Sequence, residues 1–188
     1  LEGLSRTYGD EVCLLPYTRR WDGRRAVCSG RSVRYALISL LGLAKASHVV
    51  GEQNALGDSI WKRVVEVGRR NGLSSGDLGL ALWTQAVYDG SFGEFTAERA
   101  LRAFEARPAS CDSVDLAWLL TGAEHVLMRR PDDAAARKLA DTTKRDLLTL
   151  YNPTTSLFYR HARAGPLRGV SRRIACFANQ IYPVLALA

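Results

Sequence analysis

Asp77, Asp112 and Asp115 each fall near the start of an apolar, helix-patterned segment, where a carboxylate can exchange a proton at the mouth of a buried core. Asp112 and Asp115 are three residues apart and share one helix face, while Asp77 comes from the neighbouring segment. Two carboxyls brought together in a low-dielectric setting repel, so one pKa rises toward a general acid and the other stays a base. Arg31 and Arg34 open an earlier apolar segment, and a guanidinium beside one carboxylate would hold it ionised and leave the other as proton donor. Asn179 and Gln180 lie in the first turns of the last apolar run, where two amides must find hydrogen bonds. Tyr35 and Tyr182 add rings that could line the same mouth. Trp83 and Trp118 each follow Asp77 and Asp112 by six residues, about 240° of helix rotation, and so are expected to pack between layers instead.

The same residues suit plain helix starts. Ser29-Gly30-Arg31, Ser75-Gly76-Asp77 and Ser110-Cys111-Asp112 repeat a small polar residue two places before a charged one. Ser is a natural N-cap, and Asp in the first turn complements the positive end of the helix dipole. Cys13, Cys28, Cys111 and Cys176 contain no C-x-x-C pair, and His48, His125 and His161 fall at no metal-ligand spacing, so neither metal nor cofactor is expected. Cys13 and Cys28 could meet across a hairpin, but reduced thiols and a cytoplasmic setting are the expectation.

The elements that must position these residues alternate between two kinds. Residues 31–49, 77–88, 113–128 and 176–188 are apolar on nearly every side, the pattern of helices buried all round. Residues 55–70, 96–107 and 131–151 are amphipathic, with stripes such as Ile60 and Val64, Leu101 and Phe104, or Ala135, Leu139 and Leu147. Pro131 is expected in the first turn of its helix, and Pro183 should kink the last one. Side-by-side helical hairpins of about 35 to 46 residues follow, with an inner and an outer layer and Leu37, Leu41, Leu80, Leu119 and Leu120 in the core. Residues 1–30 read as an extended lead-in with a turn at Trp21-Asp22-Gly23. Residues 152–174 read as a long loop closing over the mouth, with an extended piece at 156–161.

At 188 residues, 47% hydrophobic and 24% charged, the chain has the composition of one globular domain and excludes disorder and collagen. Its longest apolar stretch, residues 35–46, is broken by Ser39 and Lys45 and is too short for a membrane span, so no membrane association is expected. The net charge of +7 rests on 22 Arg and 4 Lys scattered as doublets, with no basic stripe interleaved with stacking aromatics, and no nucleic-acid partner is expected. The chain opens on Leu1 and stops at Ala188 inside an apolar run, which suggests a fragment whose remaining partner is the rest of its own chain.

The phrases GRSVRYALISLLGLAKA, SSGDLGLALW, DLAWLLTGAEHVL and SLFYRH through FANQIYPVLALA resemble the α/α-toroid architecture, particularly the six-hairpin glycosidase-like superfamily. The resemblance covers nearly the whole chain and implies an all-α fold, about three and a half hairpins of a partial toroid. It implies a carbohydrate-active protein with its site in the funnel where the inner helices begin. Catalytic acid and base would be Asp77, Asp112 and Asp115, with Arg31, Arg34, Tyr35, Asn179, Gln180 and Tyr182 binding the carbohydrate ligand. Glycoside hydrolysis needs one carboxylic acid for the leaving oxygen and one carboxylate to activate water or attack the sugar. The alternative is a non-catalytic helical scaffold binding a glycan or a protein. A terpenoid-cyclase-like toroid is disfavoured, since D-x-D-D is absent and aromatic content is 9%.

Overall fold

The computed structural model describes residues 18–30, 32–50, 55–88, 94–161 and 176–188. Arg31, Cys13, the first seventeen residues and residues 162–174 of the expected loop lie outside the described residues. The fold is all-α, with seven α-helices and two short antiparallel hairpins among the described residues. No helix among them is long and apolar enough to cross a membrane. The chain divides into two compact units, residues 1–73 and 74–188.

In the first unit, β1 (Thr18–Trp21) pairs with β2 (Ala26–Ser29), with Trp21 opposite Ala26 and Thr18 opposite Ser29. The turn between them is built by Asp22, whose Oδ1 accepts the Arg24 and Arg25 amides at 2.9 Å each. Gly23 takes φ +98°, a left-handed conformation that side chains resist. Helix α1 (Val33–Val50) packs against α2 (Ala55–Asn71). Ser32 caps α1 by accepting the Tyr35 amide at 3.2 Å. The two helices share a core of Ala36, Leu37, Leu40, Leu43, Ile60, Trp61 and Val64. Expected to be buried all round, α1 instead covers one stripe: Tyr35 is exposed and Leu41 only half-buried. One amphipathic partner covers about a third of a helix's circumference, and an apolar sequence does not recruit more.

In the second unit, α3 (Ser75–Val87), α5 (Ser113–Arg129) and α7 (Ala178–Leu187) form one row, in which α5 packs against both α3 and α7. Helices α4 (Ala97–Ala106) and α6 (Ala134–Leu148) pack against each other and against α3 and α5 respectively. Covered on three sides, α5 buries Val114, Leu116, Ala117, Trp118, Leu119, Leu120, Ala123 and Val126, and its all-round apolar composition is explained. Helices α3 and α5 approach closely at two glycines. A methyl group on Gly79 would lie 2.5 Å from the Leu119 amide nitrogen, and one on Gly122 would run into the Gly79 carbonyl oxygen.

Several expectations meet a different arrangement. Asp133 caps α6, accepting the Ala136 amide at 2.9 Å, so Pro131 precedes the helix in a turn, and the buried stripe is Ala136, Leu139, Ala140, Thr143 and Leu147 without Ala135. Pro183, where a kink is expected, lies buried inside α7, whose helical span continues past it to Leu187. Finally, α7 is not buried all round: Ile181, Val184 and Leu185 are exposed, because α5 and β4 cover only one side. The extended piece expected at 156–161 is reduced to β4 (Leu157–Phe158), paired with β3 (Tyr151–Asn152) across a turn in which Ser156 takes φ 55°.

Candidate functional site

The start of α5 gathers three of the candidate residues of the second unit, Asp112, Asp115 and Asn179. Asp112 is the N-cap, its Oδ1 accepting the Val114 amide at 2.9 Å and the Asp115 amide at 3.0 Å. Asp115 closes a capping box by accepting the Asp112 amide at 3.3 Å. Its carboxylate lies over Gly76 of α3, where any Cβ would collide with it. Arg160, arriving from β4, places Nε 3.6 Å from Asp112 Oδ2, and its carbonyl accepts the Ser113 amide at 2.9 Å. Both carboxylates are therefore engaged with the helix start, and the loop after β4 is pinned to the same point.

Helix α3 starts differently. Ser74 is the cap, accepting the Asp77 amide at 3.1 Å, so Asp77 sits at the third helical position and is half-buried. Asp77 thus corresponds by position to Asp115, and Ser74 to Asp112. The six-residue spacing from each Asp to its Trp aligned Asp77 with Asp112, three residues out of register with the helix starts.

Asn179 is 2% exposed and ties three segments together. Its Nδ2 donates to Ser113 Oγ at 2.9 Å, and its Oδ1 accepts the Cys176 amide at 3.0 Å and the Cys176 thiol at 3.1 Å. Gln180 makes a two-point pair with the Phe158 backbone: the Phe158 amide donates to Oε1 at 2.8 Å, and Nε2 donates to the carbonyl at 2.9 Å. Gln85 of α3 does the same to Phe95, at 3.1 and 3.0 Å. In both cases one helix side chain stands in for a strand neighbour and satisfies a backbone that no sheet would otherwise pair. Tyr182 stacks edge-on against Trp118, ring centroids 5.2 Å apart, which makes it a packing partner of α5. Arg34 and Tyr35 are on α1 of the first unit, half-buried and exposed respectively.

Cys111, just before the cap, is buried, and burial pushes its thiol pKa up to about 11, against a hydrogen bond with Ser75 that lowers it. At neutral pH it is a thiol, not a nucleophile. No cluster of three His, Cys, Asp or Glu fit to hold a metal occurs among the described residues.

A cleft of about 440 Å³ opens beside this point, between the β3–β4 hairpin and the start of α7. It is lined by Asn152, Thr155, Leu157, Phe158, Tyr159, Cys176, Phe177 and Gln180. Of the candidate residues, Gln180 is in its wall; Asp77, Asp112, Asp115, Asn179 and Tyr182 are not. Asn152 Nδ2 donates to the Tyr159 hydroxyl at 2.8 Å, and Asn152 Oδ1 accepts the Thr154 amide at 3.0 Å, holding the hairpin's turn. Beyond Gln180 and a loop expected from residue 152, the sequence does not mark the residues of this wall. Its one local signal was the Asn152-Pro153 turn, and only pairing across the hairpin brings Asn152 to Tyr159. Comparison of the chain with protein-family models, with curated proteins and with solved structures finds no match.

Proposed function

We propose that the protein binds carbohydrate, and that the cleft between the β3–β4 hairpin and α7 takes a neutral saccharide. The observation that supports this reading is the chemistry of the cleft wall: eight residues, none of them ionisable to a carboxylate, ammonium, imidazolium or guanidinium, combine amides and hydroxyls with apolar surface. Sugars present hydroxyls at their edges and C–H faces above and below. Asn152, Thr155 and Tyr159 suit the edges, while Phe177, 78% exposed, offers a ring to a C–H face. The partial α/α toroid belongs to the same proposal, supported by the row of α3, α5 and α7 with α4 and α6 behind it. A cytoplasmic setting fits the free thiols of Cys111 and Cys176.

Of the two forms this reading can take, the binding scaffold is favoured over the glycoside hydrolase, since Asp112 and Asp115 are committed to the α5 cap. Titrating the protein with neutral oligosaccharides while following amide NMR shifts tests it. Perturbed resonances should cluster at 152–159 and 176–180, and Phe177→Ala should weaken binding by about 10-fold, the scale of one lost aromatic contact. Shifts elsewhere would refute the cleft. Hydrolysis of the sugar that is lost in Asp77→Asn by ~10²-fold or more, with unchanged thermal stability, would restore the catalytic form.

A further inference from the structure

A second, chemically opposite surface lies at the tip of the β1–β2 hairpin in the first unit. Trp21 is 69% exposed, although its indole is the largest apolar side chain a protein has. Arg24 and Arg25 are exposed in the turn that follows it, while Arg20, also exposed, leaves β1 from the opposite face. The tip is built, not loose: Asp22 accepts the amides of both Arg24 and Arg25, and its own amide donates to the Arg25 carbonyl at 3.1 Å. Those two backbone amides hold the Asp22 carboxyl below the usual carboxylate range, so it stays ionised and the turn stays closed. Arg25 Nε stands 3.9 Å from Asp22 Oδ2, beyond hydrogen-bonding length, with its side chain 84% exposed. The carboxylate thus serves the backbone and leaves the guanidinium forks presented to solvent beside an uncovered indole.

We infer that this tip binds an acidic polysaccharide, with Trp21 stacked on a sugar C–H face and Arg24 and Arg25 pairing with its carboxylate or sulfate groups. Guanidinium forks match such planar or tetrahedral anions through paired hydrogen bonds. The choice of a glycan as occupant rests on the carbohydrate reading of the cleft; the charge and exposure of the tip stand apart from it. A membrane-seated tip would end in neighbouring apolar side chains, whereas residues 22–25 are Asp-Gly-Arg-Arg. Single-stranded nucleic acid calls for successive stacking rings along a cationic groove, and the tip has one ring and a carboxylate at its apex.

Polygalacturonate, a polymer of uronic acid, is the probe, and affinity is measured by calorimetry on the full chain and on the variants Trp21→Ala and Arg24→Ser/Arg25→Ser. Asp22 and Gly23 are kept so that the turn survives, and circular dichroism checks the fold. The expected result is binding that weakens as salt rises from about 50 to about 200 mM and falls at least ~10-fold in the arginine variant and ~5-fold in Trp21→Ala. A neutral oligosaccharide seated at the cleft should bind all three proteins equally. No binding of polygalacturonate, a loss in the arginine variant but not in Trp21→Ala, or tighter binding of oligothymidylate or of anionic lipid vesicles would each overturn the proposal. Retained polygalacturonate binding with no neutral saccharide bound would instead refute the cleft and leave the tip standing.

Discussion

Cys111 shows how one side chain reports on the packing around it. Its thiol is pushed up to about 11 from a reference of 9.0 because burial disfavours the thiolate, and the carboxylates of Asp115 and Asp112 act in the same direction. The folded state therefore holds the proton more tightly than the unfolded state. Stability from this group is fully present below pH 9 and is lost as pH rises toward 11, an effect of up to ~3 kcal/mol. Urea unfolding from pH 8 to 10.5 should show that decline, and Cys111→Ala should flatten it while costing a smaller, pH-independent amount. Alkylation of the native protein at pH 8, mapped by peptide mass, should label exposed Cys176 well before Cys111. Equal rates would mean that the region around the α5 cap opens freely.

At the scale of elements, the contact between α3 and α5 organises the second unit. Alanine forms helix better than glycine by about 1 kcal/mol, so intrinsic propensity alone makes Gly79→Ala stabilising. Backbone contact reverses the sign, because the added methyl would stand 2.5 Å from the Leu119 amide nitrogen, and backbone cannot step aside as a flexible side chain can. Gly79→Ala is expected to cost ~2–3 kcal/mol by overpacking, read as a lower urea midpoint at unchanged slope. Gly42 is the control: it is exposed on α1, nothing lies within 4 Å of where its methyl would stand, and Gly42→Ala should be neutral to stabilising. The paired glutamines belong to the same scale: Gln85 and Gln180 each fasten a buried Phe backbone to a helix, and the Gln180 pair ties the β3–β4 hairpin to α7 at the wall of the cleft.

For the whole molecule, the two units each carry their own core, one around Leu37, Leu40, Ile60 and Val64, the other around Leu80, Leu119, Leu120 and Leu139. Local stability follows the core that a segment packs into. Leu40→Ala, a cavity in the first core, is expected to cost ~2–4 kcal/mol and to raise hydrogen exchange in residues 33–71. Exchange in 113–129 should stay unchanged. Loss of protection in both segments together would show that the chain unfolds as one cooperative body.

Seen from the residues, much of the helical architecture was legible because periodicity and capping chemistry are local. The amphipathic stripes of α2 and α4, the core leucines 37, 80, 119 and 120, and the carboxylates at helix starts all follow from spacing of a few residues. What was not legible depended on partners distant in sequence. An apolar composition does not say how many neighbours a helix has, so α5 is covered on three sides while α1 and α7 keep exposed faces. A carboxylate at a helix start reads alike as cap or as proton donor until its acceptor geometry is known, and for Asp112 and Asp115 that geometry is a closed capping box. The cleft is the extreme case. Its wall joins 152–159 to 176–180, and it exists because Asn179 reaches Ser113, 66 residues away, and Gln180 reaches Phe158, 22 residues away. Hydrogen bonds of that range leave no period in a sequence, so composition and spacing determined the helices while tertiary packing decided where a ligand could sit.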